Sequence, residues 1–200
     1  MLSLVIQAGG QSSRMGRDKA LIPFLGQPLI KRVIDRLIHI ADEVLITTNV
    51  PAEYRFLDIP LFSDKIPDRG PLGGLYTALE VARHPLVAVI ACDLPFVNAD
   101  ILSLAQSALS DPNVDAAIPH TQHGLEPLHA VYRRETCLPA VKTAIEKDQW
   151  SVISWHHTIT VHLIAQNEIQ GCDPDGLAFL NLNTPQAFQE AEILARLADQ

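Results

Sequence analysis

The chain has 200 residues, of which 48% are apolar and 6% aromatic, and it carries a formal net charge of −8. This length suffices for one domain, residues 1–200, that buries roughly 70% of its unfolded surface around aliphatic side chains. The acidic balance and the lack of a basic tract argue against a nucleic-acid partner, and no run of about 18 apolar residues predicts a membrane span.

The cysteines and the N-terminus predict a cytoplasmic protein. Cys92, Cys137 and Cys172 are odd in number, widely spaced and free of any Cys-x-x-Cys pair, which is typical of reduced thiols. The first residues lack the basic and apolar stretches of a signal peptide. Cys92 follows an apolar run, which indicates a small buried side chain and not a nucleophile.

Strand and helix patterns alternate along the chain. The predicted strands are 2–6, 44–47, 86–92, 114–118, 128–132 and 158–164. The predicted helices are 28–40, 71–83, a helix capped by Asn98 and ending at Leu109, 135–146 and 184–197. This alternation predicts an α/β fold, a three-layer αβα sandwich around a mainly parallel, Rossmann-like sheet. Residues 120–127 are expected to form a long loop over the site.

The segment after the first strand has the composition of a phosphate-binding loop. The apolar run 4–6 stops at Ala8, Gly9 and Gly10, and the loop that follows contains Ser12, Ser13, Arg14, Arg17 and Lys19. Paired glycines let backbone N–H groups approach an anion that a Cβ atom would keep away. Hydroxyl groups and cations add further donors and positive charge. A glycine turn beside solvated charges is the alternative interpretation.

The spacing of this loop excludes two common phosphate motifs. A P-loop places its lysine next to the second glycine, whereas Lys19 lies three residues beyond Gly16. A dinucleotide fingerprint needs Gly-x-Gly-x-x-Gly, whereas Gly9 and Gly10 are adjacent. The loop therefore belongs to another class of phosphate-binding sequence.

Asp93 directly follows the apolar run 87–92, so it is expected at the carboxyl edge of the sheet, where open α/β folds bind ligands. A carboxylate beside a polyphosphate needs a cation between the two. Mg²⁺ takes one or two carboxylates together with phosphate oxygens, which predicts Asp93 as a magnesium ligand. A helix cap or turn residue is the alternative.

Four blocks carry a resemblance to a known family. They are G-G-x-S-x-R-M-G-x-D-K-x-L from Gly9, R-G-P-L-G-G from Arg69 with Asp64 before it, A-C-D-L-P-F from Ala91, and N-L-N-T-P from Asn181. In order and approximate spacing they resemble the nucleotidyltransferases, and among these most closely the molybdenum cofactor guanylyltransferases. Together the blocks span almost the whole chain. Gln7 departs from the family's usual Leu-Ala-Gly-Gly, and a side chain pointing into the site could alter the base preference.

This resemblance implies a reaction and a set of site residues. A terminal phosphate of molybdopterin would attack the α-phosphate of GTP with Mg²⁺ bound, and pyrophosphate would leave. The resemblance assigns nucleotide binding to Gln7, Ala8, Gly9, Gly10, Ser12, Lys19, Asp64, Gly73, Gly74 and Asp93. It assigns catalysis to Arg14, Lys19 and Asp93, and contact with the pterin or its phosphate to Asn181 and Asn183. Locally, Asn181 and Asn183 fit equally well a turn before a helix capped by Thr184.

Several alternatives remain open from the sequence. A cytidylyltransferase acting on the same cofactor, another nucleotidyltransferase of this fold, and a non-catalytic chaperone that binds nucleotide or cofactor all share part of the pattern. Arg69, Arg133 and Arg134 are weaker candidates for phosphate contacts. Proteins that supply or receive the cofactor are expected as transient partners, although no docking surface can be identified.

Overall fold

An eight-stranded mixed sheet forms the centre of the computed structural model, which describes residues 1–8 and 18–198. The strands are β1 (Leu2–Gln7), β2 (Pro23–Phe24), β3 (Gln27–Pro28), β4 (Glu43–Thr47), β5 (Leu61–Phe62), β6 (Leu86–Ala91), β7 (Ala116–Thr121), β8 (Gly124–Leu125), β9 (His129–Arg133) and β10 (Val161–Ile164). Their order across the sheet is β10-β7-β9-β6-β1-β4-β5, with β8 paired to β7, while β2 and β3 form a separate hairpin.

Six strands of this sheet run parallel, and β9 runs against both of its neighbours. The segment that connects β7 to β9 explains this reversal. It comprises only residues 122–128, whereas a parallel crossover requires about a dozen residues or more. The prediction of a long loop at 120–127 was wrong. That segment contains the end of β7 and a tight hairpin in which Thr121 pairs with Gly124.

The described part of the chain contains six α-helices. They are α1 (Leu29–Leu37), α2 (Gly70–Val81), α3 (Ala99–Ala108), α4 (Arg134–Glu146), α5 (Gln166–Cys172) and α6 (Pro185–Ala198). Successive strand side chains point to opposite faces. Leu4 and Ile6 therefore pack in a core with α1 and α3, whereas Val5 packs in a second core with α2 and α4. These two cores confirm the predicted αβα sandwich.

Most of the predicted elements lie where the sequence placed them, with ends that move by a few residues. Asn98 caps α3 as predicted, because its Oδ1 accepts hydrogen bonds from the N–H groups of Asp100 and Ile101. The short helix α5 was missed. Its start is stabilised by the Glu168 carboxylate, which accepts a hydrogen bond from the Ala165 N–H at 2.9 Å. No helix in residues 1–8 or 18–198 is both long and apolar enough to cross a membrane.

The buried histidine at the start of β9 makes the stability of the fold depend on pH. His129 is 1% exposed and its ring lies 4.8 Å from that of Phe179. Burial lowers the pKa of His129 to about 4, below the value of about 6.5 expected in the unfolded chain. The unfolded state therefore takes up the proton first, and the contribution to stability that is present above about pH 6.5 is lost as the pH falls towards 4.

We expect His129→Phe to lose less stability than the wild type between pH 6.5 and 4. The measurement is the free energy of unfolding by urea across this range. His162→Phe is the control, since His162 is exposed on β10. This substitution should leave the pH dependence of the free energy of unfolding unchanged. The same pH dependence of the free energy of unfolding in all three proteins would contradict the assignment of this pH dependence to His129.

Candidate functional site

A cavity of about 260 Å³ lies beyond the carboxyl ends of the parallel strands β1, β4 and β6. Its walls come from these strand ends, from the start of α2, and from three further segments. The lining residues are Gln7, Asp18, Lys19, Thr47, Thr48, Asn49, Asp64, Gly70, Pro71, Gly74, Ala91, Cys92, Asp93 and Leu128. None of residues 120–127 is among them. Five residues predicted to bind nucleotide, namely Gln7, Lys19, Asp64, Gly74 and Asp93, thus line one cavity.

Lys19 joins two of the distant sequence blocks. Its Nζ donates a hydrogen bond to Asn183 Oδ1 and lies 3.5 Å from Asp93 Oδ2. About one fifth of each side chain in the Lys19–Asp93 pair is exposed, so both remain accessible from the cavity. Three side chains that were predicted to act in the site therefore meet around one ammonium group.

Asp18 holds the turn that carries Lys19. Its Oδ1 accepts a hydrogen bond from the Ala20 N–H at 3.1 Å, and its Oδ2 accepts one from the Tyr54 hydroxyl at 2.5 Å. Tyr54 is fully buried, and burial together with the Asp18 carboxylate raises the pKa of its hydroxyl well above the usual range. The hydroxyl therefore stays protonated and acts as a donor. Sequence reasoning missed this pair, because nothing in the pattern links residues 36 positions apart.

Asn49 was also missed, and it positions Asp64. Asn49 Nδ2 donates to Asp64 Oδ2 at 2.9 Å, and the Asp64 N–H donates to Asn49 Oδ1 at 3.1 Å. Both side chains line the cavity. Asn49 comes two residues after β4 ends, so its place just past a parallel strand could have identified it, as it did for Asp93.

The two glycines of α2 that were predicted to bind nucleotide have different structural roles. A Cβ atom on Gly74 would lie 3.0 Å from Gln7 Oε1, so this glycine allows close approach to a cavity side chain. A Cβ atom on Gly73 would instead meet the Arg69 Cβ at 2.9 Å and the Ile66 carbonyl oxygen at 3.0 Å. Gly73 thus packs against the preceding turn and does not line the cavity.

Gln7 is the one lining side chain with a buried polar atom that lacks a partner within the described residues. It is 8% exposed, and no hydrogen bond reaches its Nε2. An unsatisfied buried donor costs about 1–3 kcal/mol, so its persistence in a cavity wall points to a ligand. The next residue, Ala8, is fully buried and donates from its N–H to Thr47 O at 2.8 Å.

The remaining predicted residues fall into two groups. Gly9, Gly10, Ser12 and Arg14 lie outside the described residues. Asn181 is exposed and does not line the cavity, while the buried Leu182 donates from its N–H to Asp93 O at 3.3 Å. The segment therefore runs beside Asp93, and Thr184 also caps α6 by accepting a hydrogen bond from the Ala187 N–H.

The three candidate arginines lie away from the cavity. Arg69 pairs with Asp148, and its guanidinium lies 4.8 Å from the centre of the Trp150 ring. The guanidinium groups of Arg133 and Arg134 donate to backbone carbonyl oxygens of residues 109–114 and 79–80. These contacts stabilise the fold and do not contribute to the cavity wall.

Cys92 has the properties of a packing residue. Burial and the neighbouring Asp93 carboxylate raise the pKa of its thiol, which is the reverse of what a nucleophile needs. None of the three cysteines forms a disulfide.

A mainly parallel sheet with a cavity beyond its strand ends is typical of α/β nucleotide-binding proteins. Residues 4–159 match the MobA-like NTP transferase domain, and the chain belongs to that family of nucleotidyltransferases.

Curated relatives cover nearly the same length. The probable molybdenum cofactor guanylyltransferase of Peptoclostridium acidaminophilum is 33% identical over 94% of this chain and 87% of its own. That of Nostoc sp. is 36% identical over 92% of this chain and 87% of its own. The molybdenum cofactor guanylyltransferase of Desulfosudis oleivorans is 30% identical over 94% of this chain and 93% of its own.

Solved structures share the fold at lower identity. The molybdopterin-guanine dinucleotide biosynthesis protein A of Archaeoglobus fulgidus has a TM-score of 0.84 at 21% identity, over 98% of this chain and 99% of that one. The 2-C-methyl-D-erythritol 4-phosphate cytidylyltransferase of Thermus thermophilus has a TM-score of 0.68 at 19% identity, over 96% and 98% of the two chains. These likenesses establish the three-dimensional fold.

We expect Tyr54→Phe to lower the free energy of unfolding by about 1–2 kcal/mol, since it removes a hydrogen bond to a partly buried carboxylate. Urea unfolding measures this change. Tyr76→Phe is the control, because the Tyr76 hydroxyl donates to Glu80 Oε1 at the longer distance of 3.2 Å on the same helix, and it should lower the free energy of unfolding by less than Tyr54→Phe does. Equal effects of the two substitutions would contradict the role given to Tyr54.

Proposed function

We propose that this protein transfers GMP from GTP to the terminal phosphate of molybdenum-loaded molybdopterin. The products are pyrophosphate and the guanine dinucleotide form of the cofactor. The observation that carries the proposal is the meeting of Lys19, Asp93 and Asn183 at the cavity. The names of the relatives, molybdenum cofactor guanylyltransferases, support the substrates.

The reaction needs no general base. The acceptor phosphate is already an anion, and its oxygen forms a bond to the α-phosphorus of GTP. The bond between that phosphorus and the bridging oxygen breaks, and pyrophosphate leaves with the electron pair. The described cavity lining contains no histidine, and its Cys92 thiol stays protonated. Catalysis is therefore positioning of the two anions together with neutralisation of their charge.

Lys19 is the group that holds and neutralises the phosphates. An ammonium group has three donors, so the contacts with Asn183 and Asp93 leave one for a phosphate oxygen. The Asp18 carboxylate keeps the start of its turn in place by accepting the Ala20 N–H and the Tyr54 hydroxyl. Arg14, which lies outside the described residues, is proposed as a second cation on the triphosphate.

The carboxylate of Asp93 fits a Mg²⁺ ion. Within residues 1–8 and 18–198, no group of three or more His, Cys, Asp or Glu side chains could hold a metal ion. Mg²⁺ needs no such cage, because one or two carboxylates bind it while substrate phosphates supply other oxygens. The accessible Asp93 at the strand end would hold the ion, and Mg²⁺ would neutralise charge on the phosphates there.

The acceptor is proposed to approach along the segment 181–183. Asn183 contacts Lys19 and the backbone of Leu182 contacts that of Asp93, so this segment borders the place where the phosphates would react. Asn181, two residues before Asn183, is exposed and is proposed as a further contact to the pterin. Ala8, Gly9, Gly10 and Ser12 are proposed to support the nucleotide through the adjoining loop.

We expect the purified protein, with Mg²⁺ and molybdenum-loaded molybdopterin, to release pyrophosphate with GTP and not with CTP, ATP or UTP. A coupled pyrophosphate assay measures the rate. Release with CTP alone would replace the proposed reaction by cytidylyl transfer. Nucleotide binding without release from any of the four would favour a binding module.

We expect Lys19→Ala and Asp93→Ala each to lower turnover by about 10²–10³-fold, as for loss of one charge-stabilising group. The matched controls are Lys31→Ala and Asp35→Ala, which remove the members of an exposed ion pair on α1 and should leave turnover unchanged. Urea unfolding of each variant reports whether the fold is intact. A folded Lys19 or Asp93 variant with wild-type turnover would remove that residue from the mechanism.

A further inference from the structure

Gln7 is held rigidly at the end of β1. Its Cα lies opposite Thr47 on β4 and Ala91 on β6, and its carbonyl oxygen accepts a hydrogen bond from the Cys92 N–H at 3.2 Å. The side chain is 8% exposed and lines the cavity. Because the strand is paired on both sides, the backbone has no freedom to withdraw the carboxamide.

One face of this carboxamide is closed by Gly74. A Cβ atom built on Gly74 would lie 3.0 Å from Oε1 and 3.1 Å from both Cδ and Nε2. These nearly equal distances place the glycine over the plane of the amide. Gly74 therefore covers one face of the amide, and Nε2 at the edge of the amide has no partner within the described residues.

The surroundings of the carboxamide indicate a neutral partner. Its neighbours Thr47, Gly74 and Ala91 carry no formal charge. The charged groups of the described cavity lining are Asp18, Lys19, Asp64 and Asp93. Those groups suit the phosphates and their cation, whereas the uncharged surroundings of Gln7 Nε2 suit a neutral acceptor such as a carbonyl oxygen.

We infer that the Gln7 carboxamide selects the nucleobase by donating from Nε2 to the 6-oxo oxygen of guanine. This inference rests on the proposed use of GTP. A carboxamide places a donor beside an acceptor, and guanine offers the complement, its O6 acceptor beside the N1–H donor. Adenine presents a 6-amino donor beside the N1 acceptor, so it would require the amide to rotate by about 180° and exchange its donor and acceptor positions. Bidentate amide–base pairs discriminate by about 1–3 kcal/mol.

The test measures dissociation constants without an acceptor substrate, with Mg²⁺ present. GTP, ITP, which keeps the 6-oxo group but lacks the 2-amino group, and ATP are compared with inorganic triphosphate. We expect the wild type to bind GTP and ITP about 10-fold tighter than ATP. Gln7→Met, which keeps the volume and removes the donor, should weaken GTP and ITP by about 10-fold and leave ATP and triphosphate unchanged.

Gln7→Glu sharpens the test, because it replaces the donor by an acceptor that faces the 6-oxo oxygen. Gln7→Glu should lose more GTP affinity than Gln7→Met does, and its affinity for ATP should rise relative to its affinity for GTP. Gln106→Met, on α3 and outside the cavity lining, is the matched control and should bind all four ligands like the wild type.

Three results would overturn the inference: a wild type that does not prefer GTP and ITP to ATP, a Gln7→Met variant with wild-type GTP affinity, or an equal loss for every ligand including triphosphate. An equal loss for every ligand would mean that Gln7 has a structural role and does not select the base. The proposed function fails by a different result, which is no pyrophosphate release by the wild type with GTP and acceptor. The binding ratios remain measurable in that case.

Discussion

Parallel pairing of β1 with both β4 and β6 is the constraint on which the site depends. Parallel strands end at the same edge, so the residues that follow them are brought together regardless of their separation in the chain. Gln7, Thr47 and Ala91 lie side by side for this reason, and Asp93 follows two residues later. The hydrophobic cores on both faces of the sheet hold the three strands in this register, so the core also determines the geometry of the cavity.

A second layer of polar contacts places the side chains that face the cavity. Asp18 anchors the turn of Lys19 through Tyr54, Asn49 orients Asp64, and Asn183 contacts the Lys19 ammonium. Each of these bonds joins different segments of the chain. The site is therefore assembled by tertiary contacts at its border, while the strand ends supply its floor. This arrangement suits a reaction in which positioning of two substrates carries most of the catalysis.

The charge of the cavity is consistent with its proposed ligands. Three carboxylates and one ammonium group line its described part, in a protein of net charge −8. Such a cavity attracts a polyphosphate only when further cations are present, which a divalent metal and the loop arginines would provide. The uncharged region around Gln7 and Gly74 offers a separate environment for a base. Charge thus divides the cavity into a charged region that suits the proposed phosphates and an uncharged region that suits the proposed nucleobase.

The sequence by itself determined the αβα layering and the strands that lead into the site, and it singled out Lys19, Asp64 and Asp93, which the structure brings to one cavity. It could do so because alternating apolar periodicity and residues placed directly after buried strands are local features. Only the tertiary structure decided that β9 runs antiparallel, that Gly73 packs against a turn while Gly74 meets Gln7, and that Tyr54 and Asn49 support the site. These outcomes depend on contacts between segments distant in the chain, and no periodicity within one segment encodes which side chain another segment will bring to it.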